Sequence, residues 1–88
     1  MEYLRLSDVT LAYQVFGAPD DPAVVLLCGC GQPAMSWELG VVPALTEAGY
    51  LVVTFDQRGV EPTTSPPAPY SVGDMVGDTL ALLDHLAI

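Results

Sequence analysis

The chain has 88 residues, 51% of them hydrophobic, with mean hydropathy +0.43 and a net charge of −9. Arg5 and Arg58 are its only basic side chains, so a phosphate backbone or an anionic membrane surface would be repelled, and neither nucleic acid nor a membrane is an expected partner. The longest apolar stretch, Ala23 to Cys28, is far below a bilayer's thickness, and Met1-Glu2-Tyr3-Leu4-Arg5 lacks the apolar core of a signal peptide.

In chain order, Tyr3 to Leu6 is a short strand candidate. Ser7-Asp8 makes a turn, and Leu11 to Phe16 returns as a second strand, giving an antiparallel hairpin. Gly17 and the Ala18-Pro19-Asp20-Asp21-Pro22 cluster break the structure. Ala23 to Leu27 reads as a third strand, too short for a helix and apolar on both faces. Gln32 to Val42 is irregular or weakly helical. Pro43 suits the first turn of a helix through Ala44 to Ala48, and Gly49 supplies a left-handed stop. Leu51 to Phe55 is a fourth strand, parallel to the third by virtue of the intervening helix.

Asp56 to Tyr70 reads as a loop held extended by Pro62, Pro66, Pro67 and Pro69. Ser71 followed by Asp74 forms a near capping box. The helix behind it places Val72, Met75, Val76, Thr79, Leu80, Leu83 and Leu86 on one face, with Asp74, Asp78 and Asp84 solvating the rest. His85 sits where the dipole of the helix C-terminus favours it.

The third and fourth strands each empty into a glycine loop, Cys28-Gly29-Cys30-Gly31 and Asp56-Gln57-Arg58-Gly59, the usual place for chemistry in α/β folds. Two readings of the first loop stand side by side. Gly29-Cys30-Gly31-Gln32-Pro33-Ala34 satisfies G-x-G-x-x-G/A, with Asp56 at the end of the next strand where a ribose-binding acid belongs, as in a dinucleotide-binding module. Alternatively, the backbone N–H groups of Cys30 and Gly31 point at a developing oxyanion. Cys28 and Cys30 are too few for zinc and too close for an easy disulfide, so no metal or cofactor is expected. Free thiols fit a reducing compartment, and a cytoplasmic location is expected.

Leu26-Leu27-Cys28-Gly29-Cys30-Gly31 with Trp37 downstream resembles the loop after the third strand of α/β-hydrolase family proteins. Phe55-Asp56-Gln57-Arg58-Gly59 is similar to the family's D-x-R-G-x-G-x-S loop. Tyr70-Ser71, Asp78 and Leu83-Asp84-His85-Leu86 resemble the helix that precedes the family's nucleophile strand. Cys28 stands where the family usually has histidine, Glu61 replaces the second glycine of the D-x-R-G pattern, and Thr63 takes its serine position.

The resemblance implies an α/β fold in which residues 1–88 are a single partial domain, lacking the nucleophile strand and everything after it. The G-x-S-x-G elbow is absent, since Gly73-Asp74-Met75-Val76-Gly77 has the glycine spacing without the serine. The implied function is serine-type hydrolysis of a small ester-like molecule. Cys30 offers an oxyanion N–H, Gly29, Gly31 and Trp37 shape the substrate wall, and Asp56 and Arg58 brace their own loop. The nucleophile and histidine would come from a complementary chain or a missing C-terminal part. Without it, Ala23–Leu27 is an open edge prone to self-association, and a non-catalytic remnant pairing through that edge is the third alternative.

Overall fold

The computed structural model describes residues 1–28, 32–67 and 69–88. Four strands form one mixed sheet: β1 (Glu2–Arg5), β2 (Thr10–Phe16), β3 (Ala23–Leu26) and β4 (Leu51–Phe55), in the order β1-β2-β4-β3. The first hairpin is closed by the Leu6 N–H donating to Val9 O at 2.8 Å, and its strands pair antiparallel from Glu2↔Tyr13 to Arg5↔Thr10. β1 therefore begins and ends one residue earlier than the Tyr3–Leu6 reading. β2 also pairs antiparallel with β4, and β3 pairs parallel with β4 from Ala23↔Leu51 to Leu26↔Thr54.

All five residues of β4 are buried, as a central strand covered on both faces requires. The register sorts its side chains. Tyr13 lies opposite Phe55 and Val15 opposite Val53, so these odd-numbered residues share one face. There Leu11, Tyr13, Val53 and Phe55 pack with Val9 and Leu82, with Val25 alongside.

Helix α1 (Val41–Glu47) makes the β3-to-β4 crossover, preceded by a 3₁₀ turn at Ala34–Trp37. Pro43 lies in the first turn of α1, where its missing N–H costs nothing. After the Ala48 cap, Gly49 takes φ +93°, the left-handed stop expected of it. Gly17 is more constrained: at φ +96° it ends β2 against β4, and a Cβ there would lie 2.7 Å from Tyr50 O.

Helix α2 (Val72–His85) starts on the capping box: the Ser71 hydroxyl accepts from the Asp74 N–H at 3.0 Å and the Asp74 carboxylate accepts from the Ser71 N–H at 2.9 Å. Those bonds hold the Asp74 carboxyl below its ordinary range. The face α2 presents to the sheet differs from the sequence reading. Its buried residues are Asp78 and Leu82, one turn apart, whereas Val72, Val76 and Leu80 are exposed. The apolar arc of the helix is wide, and the four strands cover only the part centred on Leu82. Asp78, expected to solvate the helix, points inward because an arginine waits there.

β3 pairs only with β4 among the described residues, so its other side is an unpaired edge. Its sequence, Ala-Val-Val-Leu, carries no charge or proline to guard that edge.

Candidate active-site scaffold

The centre of the site is the end of β4. Asp56, Gln57 and Arg58 follow that strand directly, and all three are buried. Three consecutive polar residues inside a chain this small demand partners, since an unpaired buried polar group costs about 1–3 kcal/mol and a charge more.

Asp56 finds its partner across the first glycine loop. Its Oδ1 accepts the backbone N–H of Ala34 at 2.7 Å, at the first residue of the 3₁₀ turn. On the near side of that loop, the Trp37 indole Nε1–H donates to Cys28 Sγ at 3.1 Å. Cys28 and Ala34 are thus each held by a side chain from further along the sequence. Burial pushes the Cys28 thiol above its ordinary pKa and nearby Asp56 adds to this, outweighing the Trp37 hydrogen bond. A thiol held protonated is a poor nucleophile, so Cys28 serves as a packing and acceptor group.

Arg58 makes the most extensive contacts. Its Nε and Nη2 donate to the two carboxylate oxygens of Asp78, both at 2.8 Å, in a bidentate fork buried between loop and helix. Its Nη1 and Nη2 also reach Asp8 in the β1–β2 turn, at 3.1 and 3.3 Å. The two carboxylates hold the guanidinium firmly protonated, Asp78 contributing most. The Tyr70 ring lies 5.8 Å from the guanidinium carbon, close enough for a cation–π contact. Gly59 follows at φ +87°, and a Cβ there would sit 3.0 Å from Tyr70 Cε2.

Asp56 and Arg58, read from sequence as bracing their own loop, reach out of it: one to the first glycine loop, the other to α2 and the hairpin turn. The brace within the loop is Thr63. Its hydroxyl donates to Asp56 O at 2.7 Å and accepts the Ala12 N–H at 2.8 Å, while Thr64 pairs with Thr10 through its hydroxyl and its N–H. The Asp56–Tyr70 segment is accordingly not extended throughout. It folds back in turns, with the Val60 N–H donating to Gln57 O and the Gly59 N–H to Thr64 O. Thr63→Val removes the hydroxyl at constant shape and orphans a buried N–H and a buried carbonyl, an expected loss of about 2–4 kcal/mol. Thr63→Ser keeps both bonds and is expected to lose about 1 kcal/mol, the value of one methyl group; paired urea melts read the contrast.

Gly29, Cys30 and Gly31, the residues expected to carry the oxyanion site, lie outside the described residues. Trp37 is half-buried and spends its N–H on Cys28. Asp78, Asp8, Thr63 and Gln57 were not singled out as site residues from sequence. A signal for Asp78 existed: a buried arginine in a chain with two basic residues must find a carboxylate. Eleven acids were available to supply it, and only the fold selects among them. Among the described residues no group of His, Cys, Asp and Glu could hold a metal ion, and no helix is long and apolar enough to cross a membrane.

The sequence model of the α/β-hydrolase fold matches residues 22–88. The chain belongs to the α/β-hydrolase fold family. It is 34% identical over 85 residues to 3-oxoadipate enol-lactonase 2 of Acinetobacter baylyi, a match covering 97% of this chain and 31% of the lactonase. It is 39% identical over 72 residues to epoxide hydrolase A of Mycobacterium tuberculosis, covering 80% of this chain and 22% of that enzyme. A hydrolase from Pseudomonas aeruginosa superposes on it with a TM-score of 0.92 at 34% identity, over 99% of this chain and 32% of that structure. The chain thus spans about a third or less of the length of these α/β-hydrolase relatives. Family membership also displaces the dinucleotide-binding alternative, which needed an Asp56 carboxylate presented to a ribose; here it is buried on the Ala34 N–H.

Proposed function

We propose that this chain forms the first part of a serine-type α/β-hydrolase acting on a small ester-like substrate, with the backbone N–H of Cys30, flanked by Gly29 and Gly31, as half of an oxyanion hole. The observation that carries the reading is the pair of hydrogen bonds that fix Cys28 to Trp37 and Ala34 to Asp56. An oxyanion donor is effective when it is held in place before the reaction, because no reorganisation is then spent during it. The lactonase relative is named for a cyclic ester, which favours an acyl substrate. A second polypeptide, or further chain, would supply the nucleophile, the histidine and the rest of the sheet. The free Cys28 thiol suits a reducing compartment, and the cytoplasm is the proposed location.

The test is co-expression with the portion of the A. baylyi lactonase that the match leaves uncovered, followed by p-nitrophenyl acetate and epoxide turnover assays. Ester hydrolysis is expected. Cys30→Pro, which deletes the N–H, should lower kcat by about 10²- to 10³-fold with KM little changed, whereas Cys30→Ala should retain activity. Full kcat in Cys30→Pro would refute the oxyanion role. Epoxide opening without ester cleavage would refute the substrate class. A stable complex with no turnover would favour a non-catalytic remnant.

A further inference from the structure

β1 stands at the end of the sheet away from β3 and pairs only with β2 among the described residues. The Leu6 N–H bonds to Val9 O, and in an antiparallel pair every second residue is hydrogen-bonded. Leu4 with Leu11 and Glu2 with Tyr13 therefore carry the remaining bonds. Their neighbours agree: Thr10 and Ala12, opposite Arg5 and Tyr3, spend their N–H groups on Thr64 and Thr63 on the far side of β2. The N–H and C=O groups of Tyr3 and Arg5 thus point outward along the free edge.

The side chains on that edge differ sharply from one another. Leu4 is half-buried and packs against the core, whereas Tyr3 is 58% exposed. An acid opens the strand, Glu2, and a base closes it, Arg5. Arg58 is buried with Asp8 and Asp78, so Arg5 is the only arginine or lysine that a chain of charge −9 shows to solvent.

We propose that β1 is a dimerisation edge, on which a second copy of this chain pairs antiparallel about a two-fold axis at Leu4. The inference stands apart from completion of the sheet by further chain, which concerns the opposite edge.

The register follows from the pleat. A two-fold axis normal to the sheet keeps each side chain on its own face, so it passes through a residue that meets its own copy, Tyr3 or Leu4. Centred on Leu4, Tyr3 and Arg5 of the second copy exchange both N–H···O bonds, and symmetry repeats the exchange. Leu4 then lies against its counterpart at the close spacing of a non-hydrogen-bonded pair, and two half-buried leucines cover each other. The Tyr3 ring lies beside the Arg5 guanidinium, a favourable cross-strand pair. Centred on Tyr3, the same geometry would instead set the Glu2 carboxylate on Leu4, a poor exchange for water. The antiparallel direction also brings the basic end of each strand beside the acidic end of the other. The contact is one short strand wide, so a weak, concentration-dependent dimer is expected, one that salt tightens by screening the charge of −9 on each copy.

Sedimentation of the 88-residue chain over a wide range of concentration, at low and high salt, tests this, with circular dichroism to check the fold of each variant. The parent should show a monomer–dimer equilibrium. Tyr3→Pro removes an outward donor without touching the bonds to β2, and should melt as the dilute parent does while staying monomeric. Arg5→Glu should weaken the dimer about tenfold or more, because acid then meets acid at both ends. Adding Glu2→Arg to it restores the net charge and the opposition of sign, and should recover most of the parent's affinity. In a Cys28→Ser, Cys30→Ser background, Leu4→Cys should cross-link to itself under mild oxidation, since facing Cα atoms about 4.5 Å apart suit a disulfide, and Tyr3→Cys should not. A parent chain that stays monomeric at every concentration would overturn the proposal. So would a dimer that persists in both Tyr3→Pro and Arg5→Glu, since it would be built on another face. Cross-linking through Tyr3→Cys but not Leu4→Cys would overturn the register.

Discussion

Asp78→Ala is expected to destabilise the chain by about 3–5 kcal/mol, the loss seen when one partner of a buried ion pair is removed. The magnitude follows from what remains. Arg58 would stay buried with only Asp8 beside it, and the Asp8 side chain is 59% exposed, so that contact is weakened by water. A chain of this length has a total stability of roughly 4–13 kcal/mol, and the substitution therefore takes a large share of it. Three controls separate the causes. Asp8→Ala, which removes the exposed arm, should cost no more than about 1 kcal/mol. Arg58→Lys keeps charge but not the fork, and should be far from neutral. Replacing both partners by apolar residues, Arg58→Met with Asp78→Leu, should fall nearer the parent than Asp78→Ala does, because no charge is stranded. Urea unfolding followed by circular dichroism reads all four. If Asp78→Ala melts within about 1 kcal/mol of the parent, the pair does not hold the loop to the helix.

Leu82→Ala is expected to cost about 2–5 kcal/mol, whereas Leu80→Ala should change the free chain by no more than about 0.5 kcal/mol. The two leucines sit on one helix and have the same chemistry. Leu82 is fully buried against Leu11, Tyr13, Val53 and Phe55, and truncating it opens a cavity beneath α2. Leu80 is 56% exposed and has little packing to lose. Under the proposed completion of the sheet by further chain, the Leu80 substitution should become costly, and the shift between free and completed states would measure how much of α2 is then buried. Equal effects at the two positions in the free chain would show that the helix is seated differently on the sheet.

That contrast marks how far the sequence could be read. Strand and helix positions were legible because each leaves a local signature. Leu51 to Phe55 is apolar at every position, Ser71 and Asp74 can satisfy each other's N–H groups, and Gly49 can adopt a backbone that closes a helix. The parallel pairing of β3 with β4 was legible too, since a helix between two short strands leaves few alternatives. The seating of α2 was not. A broad apolar arc contains several candidate core stripes, and which one is buried depends on how much sheet lies beneath it.

The site divides along the same line. Two strands emptying into glycine loops, and the order of motifs shared with the α/β-hydrolases, are local patterns that the chain carries by itself. The partners of Asp56, Arg58, Thr63 and Gln57 are not local. Arg58 meets an acid on a helix and another in the opening hairpin; Asp56 meets an N–H across the neighbouring loop; the Gln57 Oε1 meets no hydrogen-bond donor among the described residues. Sequence determines which residues are polar and where strands end, because propensity and periodicity act over a few residues. Tertiary structure alone decides which polar groups are buried together, because desolvation depends on every element that closes over them.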